Sequence, residues 1–270
     1  MRLREQLKGK IPENDLVRLS NRFHVIGDIA IVSVPSEMES YKMEIAKTIV
    51  SRHRHIKTVL NKVSKLEGNR RVASFEILAG SETVTAHREF GFCYRLDLCK
   101  VFFNSHLSYE RRRVALKVKP GERVLSPFCG VGPYVVPAAS AGARVVALES
   151  NSEACKWLAE NASLNRVEDN IDLIKGDALS IANLLNLRHL NLKFDRAIIP
   201  TPYGMDQALD ILSPLVKKGG TIHFYTFKKK HQIDGLIAKY EDAGLDVEFH
   251  RSCGNVAPGV CRWVFDLVKC

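Results

Sequence analysis

The sequence predicts a doubly wound α/β sheet preceded by a small α+β domain, and three observations carry that expectation. From Gly121 onward, apolar runs of strand length alternate with stretches of helical periodicity. A small-residue turn, Cys129-Gly-Val-Gly132, separates the first apolar run from the helix that follows it. Before residue 103 the pattern is one of short strand-like runs around a single helix, without a parallel-sheet alternation.

Residues 1–22 are polar and basic with scattered leucines, which suits a short helix and a loop. Residues 24–34 read as two strand pieces or as one strand bent at Gly27, ended by Pro35 and Ser36. A helix follows over 39–50, with Met43, Ile45, Ala46, Ile49 and Val50 as its apolar face. Strand-like runs occupy 57–63, 72–78, 84–87 and 94–100, the last two joined as a hairpin across Glu89-Phe90-Gly91. Between them, 65–71 is a polar loop carrying Arg70 and Arg71. Residues 1–103 thus form the expected small domain, and 104–270 the larger one.

In the larger domain Ser108 is a candidate N-cap for a helix, and Glu110 falls in its first turn, where the helix dipole favours a carboxylate. Glu110 is read either as half of an ion pair with Arg113 or as a functional acid. Strands are expected at 124–128, 145–149, 171–176, 195–199 and 221–227, with helices at 134–141, 152–164, 178–187, 205–216 and 232–243 between and after them. Two closing strands near 247–250 and 262–268 give an antiparallel end. Ligands of such sheets bind beyond the strands' carboxyl ends. Those ends supply Cys129 to Tyr134, Glu149, Asp177 and Pro200-Thr-Pro-Tyr203. Gly130 and Gly132 tolerate positive φ and close approach of a ligand, and an acid ending the second strand is placed to hold a ribose diol.

Composition narrows the partner. A formal net charge of +10, from 40 Lys and Arg against 30 Asp and Glu, suits a polyanion. The basic runs 52–57, 111–113 and 228–230 are candidate phosphate contacts or solvated helix ends. Seven cysteines without a C-x-x-C pair suggest neither a zinc site nor a disulfide framework, and the first residues lack the apolar core of a signal peptide. A cytoplasmic, reduced, monomeric protein without a metal or a membrane span is expected.

The set Phe128-Cys-Gly-Val-Gly-Pro-Tyr134, Glu149, Gly176-Asp-Ala178 and Pro200-Thr-Pro-Tyr203 resembles a class I S-adenosylmethionine-dependent methyltransferase with a Rossmann-like sheet. Val135 departs from the third glycine of a dehydrogenase fingerprint. Val101-Phe-Phe-Asn-Ser-His-Leu-Ser-Tyr-Glu-Arg-Arg-Arg-Val114, taken with that turn and with residues 71–80, is similar to the archaeal and eukaryotic tRNA (guanine-37, N1)-methyltransferases over nearly the whole chain. The separate N-terminal domain with which many members sense the tRNA elbow has no counterpart in the sequence.

The resemblance implies S-adenosyl-L-methionine as cofactor and tRNA as partner. It places Glu110 as the base that removes the guanine N1 proton and Arg71 as the guanidinium that stabilises charge on O6. Around the cofactor it places Phe102, His106, Phe128, Gly130, Gly132, Pro200 and Tyr203, with Glu149 on the ribose hydroxyls and Asp177 with Ala178 at the adenine. Three positions depart from the family pattern: Pro200-Thr-Pro-Tyr203 lacks the motif's asparagine, Phe102 stands for a tyrosine, and His106 for an arginine. The first expectation is N1 methylation of guanosine 37. Carbon-7 methylation of the tricyclic wyosine precursor at the same nucleotide is second. Aminocarboxypropyl transfer to that precursor is third, because such sequences usually lack the Gly-Val-Gly-Pro turn and the Leu-Ser-x-Glu-Arg run. A non-catalytic RNA-binding subunit is the alternative of another class.

Overall fold

A computed structural model describes residues 3–64, 73–187 and 193–270. The chain divides into two units, Met1–Ser105 and His106–Cys270.

The first unit opens with two single-turn helices, α1 (Leu3–Gln6) and α2 (Glu13–Leu16). The scattered leucines of this stretch are core residues: Leu3, Leu7, Leu16 and Leu19 are all buried with Ile45 and Ile49. Strands β1 (His24–Ile26), β2 (Ile29–Val32), β3 (Thr58–Lys62) and β4 (Phe75–Ala79) form a sheet in that order. Helix α3 (Lys42–Arg52) connects β2 to β3, which pair in parallel. This parallel pair departs from the expectation for the first unit; its strands of four and five residues are too short to stand out as a βαβ pattern. Helix α3 buries Ile45, Ala46 and Ile49, while Met43 turns out to be 59% exposed and leaves the predicted apolar face.

Gly27 makes the β1–β2 turn at φ +59°, and a Cβ there would lie 2.0 Å from the Thr85 hydroxyl. That hydroxyl donates to Asp28 Oδ1 (2.6 Å) and accepts from the Asp28 N–H (3.1 Å). Only glycine permits the approach. Thr85 belongs to the hairpin β5 (Val84–Glu89) and β6 (Phe92–Asp97), whose two-residue turn holds Phe90 and Gly91 both at positive φ.

The second unit contains α4 (Ser108–Ala115), β7 (Arg123–Pro127), α5 (Val135–Ser140), β8 (Arg144–Glu149), α6 (Ser152–Leu164), β9 (Ile171–Lys175) and α7 (Ala178–Leu187). It continues through β10 (Phe194–Ile199), α8 (Ala208–Leu212), β11 (Val216–Lys228), α9 (Ile233–Asp242), β12 (Leu245–Ala257) and β13 (Val260–Lys269). The sheet order is β12-β13-β11-β10-β7-β8-β9, parallel from β9 to β11; β13 runs antiparallel to β11, and β12, antiparallel to β13, runs in the direction of the other strands. The order reverses at β7, so the loop after β7 sits at the topological switch point. Leu125, Leu148, Phe194, Phe224 and Phe265 lie in the core cluster of this sheet.

Four features differ from expectation. Leu107, not Ser108, is the N-cap of α4, and it makes no side-chain cap bond. The helix expected over 205–216 is only five residues long, because Pro214 lies in a following single turn, Ser213–Leu215, and β11 begins at Val216. Gly219 and Gly220, which lie between the expected helix 205–216 and the expected strand 221–227, form an irregularity inside β11: Phe194 pairs with Val216, but Arg196 pairs with Thr221. β12 runs far beyond the apolar core that signalled it, into Arg251, Ser252 and Asn255, whereas β13 (Val260–Lys269) nearly coincides with the expected strand. Among the described residues, no helix is long and apolar enough to cross a membrane.

Candidate functional site

The glycine turn is held from below and open above. Phe128, directly after β7, adopts φ +53°, a strained value for a bulky side chain, and Gly130 and Gly132 follow at +57° and +90°. The two glycines have different reasons. A Cβ at Gly132 would come within 2.3 Å of Leu158 Cδ1 on α6, whereas a Cβ at Gly130 would meet nothing within 4 Å. Gly132 is therefore required by helix contact, and Gly130 leaves open space beside its backbone. Asn161, also on α6 and fully buried, donates to the Val131 carbonyl at 3.0 Å and fixes the middle of the turn. Its signal in the sequence is an amide on the inner face of helix 152–164, which motif reading passed over.

Glu149 ends β8 beside this turn. Its Oε2 accepts the Gly130 N–H at 2.7 Å and its Oε1 accepts the Asn151 N–H at 2.8 Å. Each carboxylate oxygen retains a lone pair, so both can still receive ribose hydroxyls. Asp177 is exposed and caps α7 by accepting the Ser180 N–H at 2.8 Å. The Ala178 side chain is in the core, which leaves its backbone to face a ligand. The Pro200-Thr-Pro-Tyr203 loop follows β10. Thr201 is buried and closed on the Ile199 carbonyl, while Tyr203 is exposed with its ring 5.2 Å from Phe227. Phe128, Gly130, Gly132, Glu149, Asp177, Ala178, Pro200 and Tyr203 therefore all lie at the carboxyl ends of β7, β8, β9 and β10.

Three further expected site residues precede β7 in the chain. Arg71 lies outside the described residues. Phe102 is an exposed residue of the first unit. His106 is exposed in the turn Ser105–Leu107 before α4.

Glu110 is neither a surface ion pair nor an unengaged acid. It is 2% exposed and accepts from Arg113 (2.7 Å), from the Tyr225 hydroxyl (2.9 Å) and from Arg251 (2.7 Å). Arg113 also grips Asp266 through two parallel bonds of 2.6 and 2.9 Å, and Lys117 reaches Asp266 at 2.6 Å. His223, wholly buried, stands 2.6 Å from Asp266 through Nδ1 and 2.8 Å from Arg196 through Nε2. Since Arg196 can only donate, Nε2 accepts and Nδ1–H donates to Asp266; the ring is neutral. Burial pulls the His223 pKa down, and Asp266 sits well below the usual carboxylate range because His223, Arg113 and Lys117 stabilise its charge against burial.

This lattice corrects the assignment of basic runs. Arg111 is buried, Arg113 is committed to Glu110 and Asp266, and Lys228 is paired with Asp206. The exposed cations of those runs are Arg52, Arg54, Arg112, Lys229 and Lys230, with Lys57 exposed but paired to Asp28. Burial beside Glu149 holds the Cys129 thiol well above its ordinary pKa, so it is no nucleophile. No cluster of three metal-ligating side chains occurs among the described residues.

A parallel sheet with one antiparallel strand, β13, between β11 and β12, a glycine turn at the switch point and an acid on the neighbouring strand define the fold of class I methyltransferases. The family model for the TRM5/TYW2 methyltransferase domain matches residues 85–248, and the model for the TYW2 N-terminal domain matches residues 3–83. The chain belongs to the TRM5/TYW2 methyltransferase family. It is 38% identical over 274 residues to the tRNA(Phe) (4-demethylwyosine(37)-C(7)) aminocarboxypropyltransferase of Pyrococcus horikoshii, covering 98% of this chain and 95% of the relative. It is 37% identical over 210 residues to the tRNA (guanine(37)-N(1))-methyltransferase Trm5b of Pyrococcus abyssi, covering 77% of this chain but 61% of that relative's length. Among solved structures, a complex of aTrm5 and tRNALeu is similar at a TM-score of 0.87 and 28% identity, over 100% of this chain and 78% of that one.

Proposed function

We propose that the protein transfers the 3-amino-3-carboxypropyl group of S-adenosyl-L-methionine to carbon 7 of the tricyclic wyosine precursor at position 37 of a tRNA. The observation that carries this reading is the end-to-end match. The aminocarboxypropyltransferase relative is aligned over nearly all of both chains, and residues 3–83 fit the TYW2 N-terminal domain. This reverses the order that the turn and the Glu-Arg run suggested. Both motifs lie inside the aligned span, and the match over nearly all of both chains outweighs them.

The site is consistent with the reversal. N1 methylation needs a base for the guanine N1 proton, and Glu110 is occupied by two arginines and a phenol. The motif asparagine that would face the base is replaced within Pro200-Thr-Pro-Tyr203. When bound, S-adenosyl-L-methionine would supply an electrophilic carbon next to its sulfonium: carbon 7 would bond to that carbon as the carbon–sulfur bond breaks, with methylthioadenosine as the leaving group and the carbon-7 proton passing to solvent. The protein's part is positioning. Glu149 holds the ribose, the open face of Gly130 lets the nucleoside approach, and Asp177 with the Ala178 backbone meets the adenine. Exposed Arg52, Arg54, Lys229 and Lys230 supply phosphate contacts.

Methylation of guanosine 37 at N1 is the second reading, favoured by the 37% identity to Trm5b and by Glu110 in the first turn of α4. Nucleoside mass spectrometry separates the two. The protein and S-adenosyl-L-methionine are incubated with tRNA carrying either guanosine or the tricyclic precursor at position 37. An aminocarboxypropyl gain on the tricycle is expected. A methyl on guanosine would establish the second reading, a methyl on the tricycle would indicate carbon-7 methylation, and an unmodified tRNA of both kinds would overturn the assignment to position 37.

A further inference from the structure

Helix α4 presents an aromatic ring to solvent directly beside its buried acid. Tyr109 is 65% exposed, and the guanidinium of Arg251 lies over its ring, 5.6 Å from the centroid. A single exposed tyrosine needs no ligand to explain it. This one, however, is backed by a cation that cannot swing away. Arg251, on β12, donates to Glu110 Oε2 at 2.7 Å, and Glu110 is itself held by Arg113 and the Tyr225 hydroxyl. The ring therefore has one face against a fixed guanidinium, and its exposed surface is the opposite face.

The surroundings favour a nucleic acid over other occupants. Arg112 lies three residues on, on the same side of the helix, and is exposed. Glu110 is the one carboxylate in α4, and it is turned inward at 2% exposure, so the outer side of the helix carries a ring and a cation without an acid of its own. Single-stranded RNA is bound by that combination, with bases on aromatic faces and phosphates on cations. The ring is also near the glycine turn. Glu110, its chain neighbour, meets the Tyr225 hydroxyl at 2.9 Å, and the Tyr225 ring is 5.5 Å from that of Tyr134, at the end of the turn.

We propose that the outer face of Tyr109, backed by Arg251, is a stacking platform for an unpaired base of the RNA loop beside the target nucleotide. This rests on the functional reading above. An enzyme that acts on a base must take it out of its stack, which leaves the adjoining bases with a bare face. Tyr109 replaces the lost neighbour for one of them. The guanidinium behind the ring adds a cation–π contact and keeps the ring from turning, so the stacked base has a fixed place. Holding it there sets the register of the strand and keeps nucleotide 37 at the site.

Equilibrium binding of tRNA to the full chain tests this, using Tyr109→Leu, which keeps an apolar side chain without a ring face, and Tyr109→Phe, which keeps the face without the hydroxyl. Tyr109→Leu is expected to weaken tRNA roughly fivefold to a hundredfold, the size of one lost base–aromatic stack, and Tyr109→Phe to stay within about twofold. The same tRNA is then made with one abasic nucleotide at each unpaired position of the loop in turn. At one of these positions, the abasic tRNA is expected to bind the unaltered protein and Tyr109→Leu equally well, because the two halves of the contact are removed together. A Tyr109→Leu penalty that persists on every abasic tRNA would mean that the ring meets the backbone or acts through the fold, and would overturn the platform. An equal loss in Tyr109→Phe would assign the effect to the hydroxyl and overturn it too. If the unaltered protein binds no tRNA, the functional reading fails and the platform with it; if it binds and Tyr109→Leu binds like it, only the platform fails.

Discussion

Glu110 shows how a residue of apparent catalytic type can be structural first. Its two oxygens receive bonds from Arg113, Arg251 and Tyr225, and Arg251 also lies over the Tyr109 ring at 5.6 Å. Replacing such a carboxylate leaves two guanidinium groups short of charge, and breaking a buried pair from one side is costlier than the pair's own net worth. Glu110→Gln preserves shape and one acceptor, and is expected to cost about 2–4 kcal/mol. For a unit of this size that corresponds to a fall of roughly 5–15 °C in Tm. Scanning calorimetry of the variant decides the matter. Lost activity with an unchanged Tm would restore Glu110 to the role of base; lost activity with the lowered Tm would not identify a base at all.

At the scale of elements, the glycine turn separates stability from binding. Gly132→Ala is expected to destabilise by roughly 2–4 kcal/mol, because its Cβ would meet Leu158 at 2.3 Å in a conformation at φ +90° that alanine resists. Gly130→Ala meets no neighbour and is expected to cost about 1 kcal/mol, from φ alone, while weakening cofactor binding more than Gly132→Ala does. Thermal melts and cofactor titrations on the two variants check this; a Gly130→Ala protein with unaltered affinity would mean that no ligand uses that space. The same region shows what a sequence discloses. The order of strands from β7 to β11, the turn and Glu149 were legible, because apolar runs bounded by small residues report buried parallel strands directly. The lengths of β11 and β12 were not. A bulge at Gly219-Gly220 separates the first residues of β11 from its apolar run, and Arg251 interrupts the apolar pattern of β12 with a charge. Pairings such as Glu110 with Arg251, 141 residues apart, depend on that strand extension and leave no local trace.

At the scale of the molecule, the buried charges of the second unit tie its stability to pH. The folded His223 has its pKa lowered by burial, so as pH falls through about 6.5 the unfolded chain takes up a proton that the folded chain refuses. Stability therefore declines below pH 6.5. The Asp266 carboxyl is also held below its ordinary value, which contributes stability above about pH 4 that is lost as pH falls further. The two effects share a sign and act in successive windows. Between pH 7 and pH 5, His223 alone accounts for a loss of about 2 kcal/mol at most. Both tryptophans, Trp157 and Trp263, belong to the second unit, so their fluorescence reports its unfolding. Urea titrations followed by that signal are expected to show a midpoint that falls from pH 7 to pH 5 and falls again below pH 4. His223→Gln keeps an amide to donate to Asp266 and has no proton to gain; it is expected to flatten the first decline and leave the second. A midpoint that holds steady or rises between pH 7 and pH 5 in the unaltered protein would show that His223 is already charged in the folded state, and the neutral bridge between Asp266 and Arg196 would have to be abandoned.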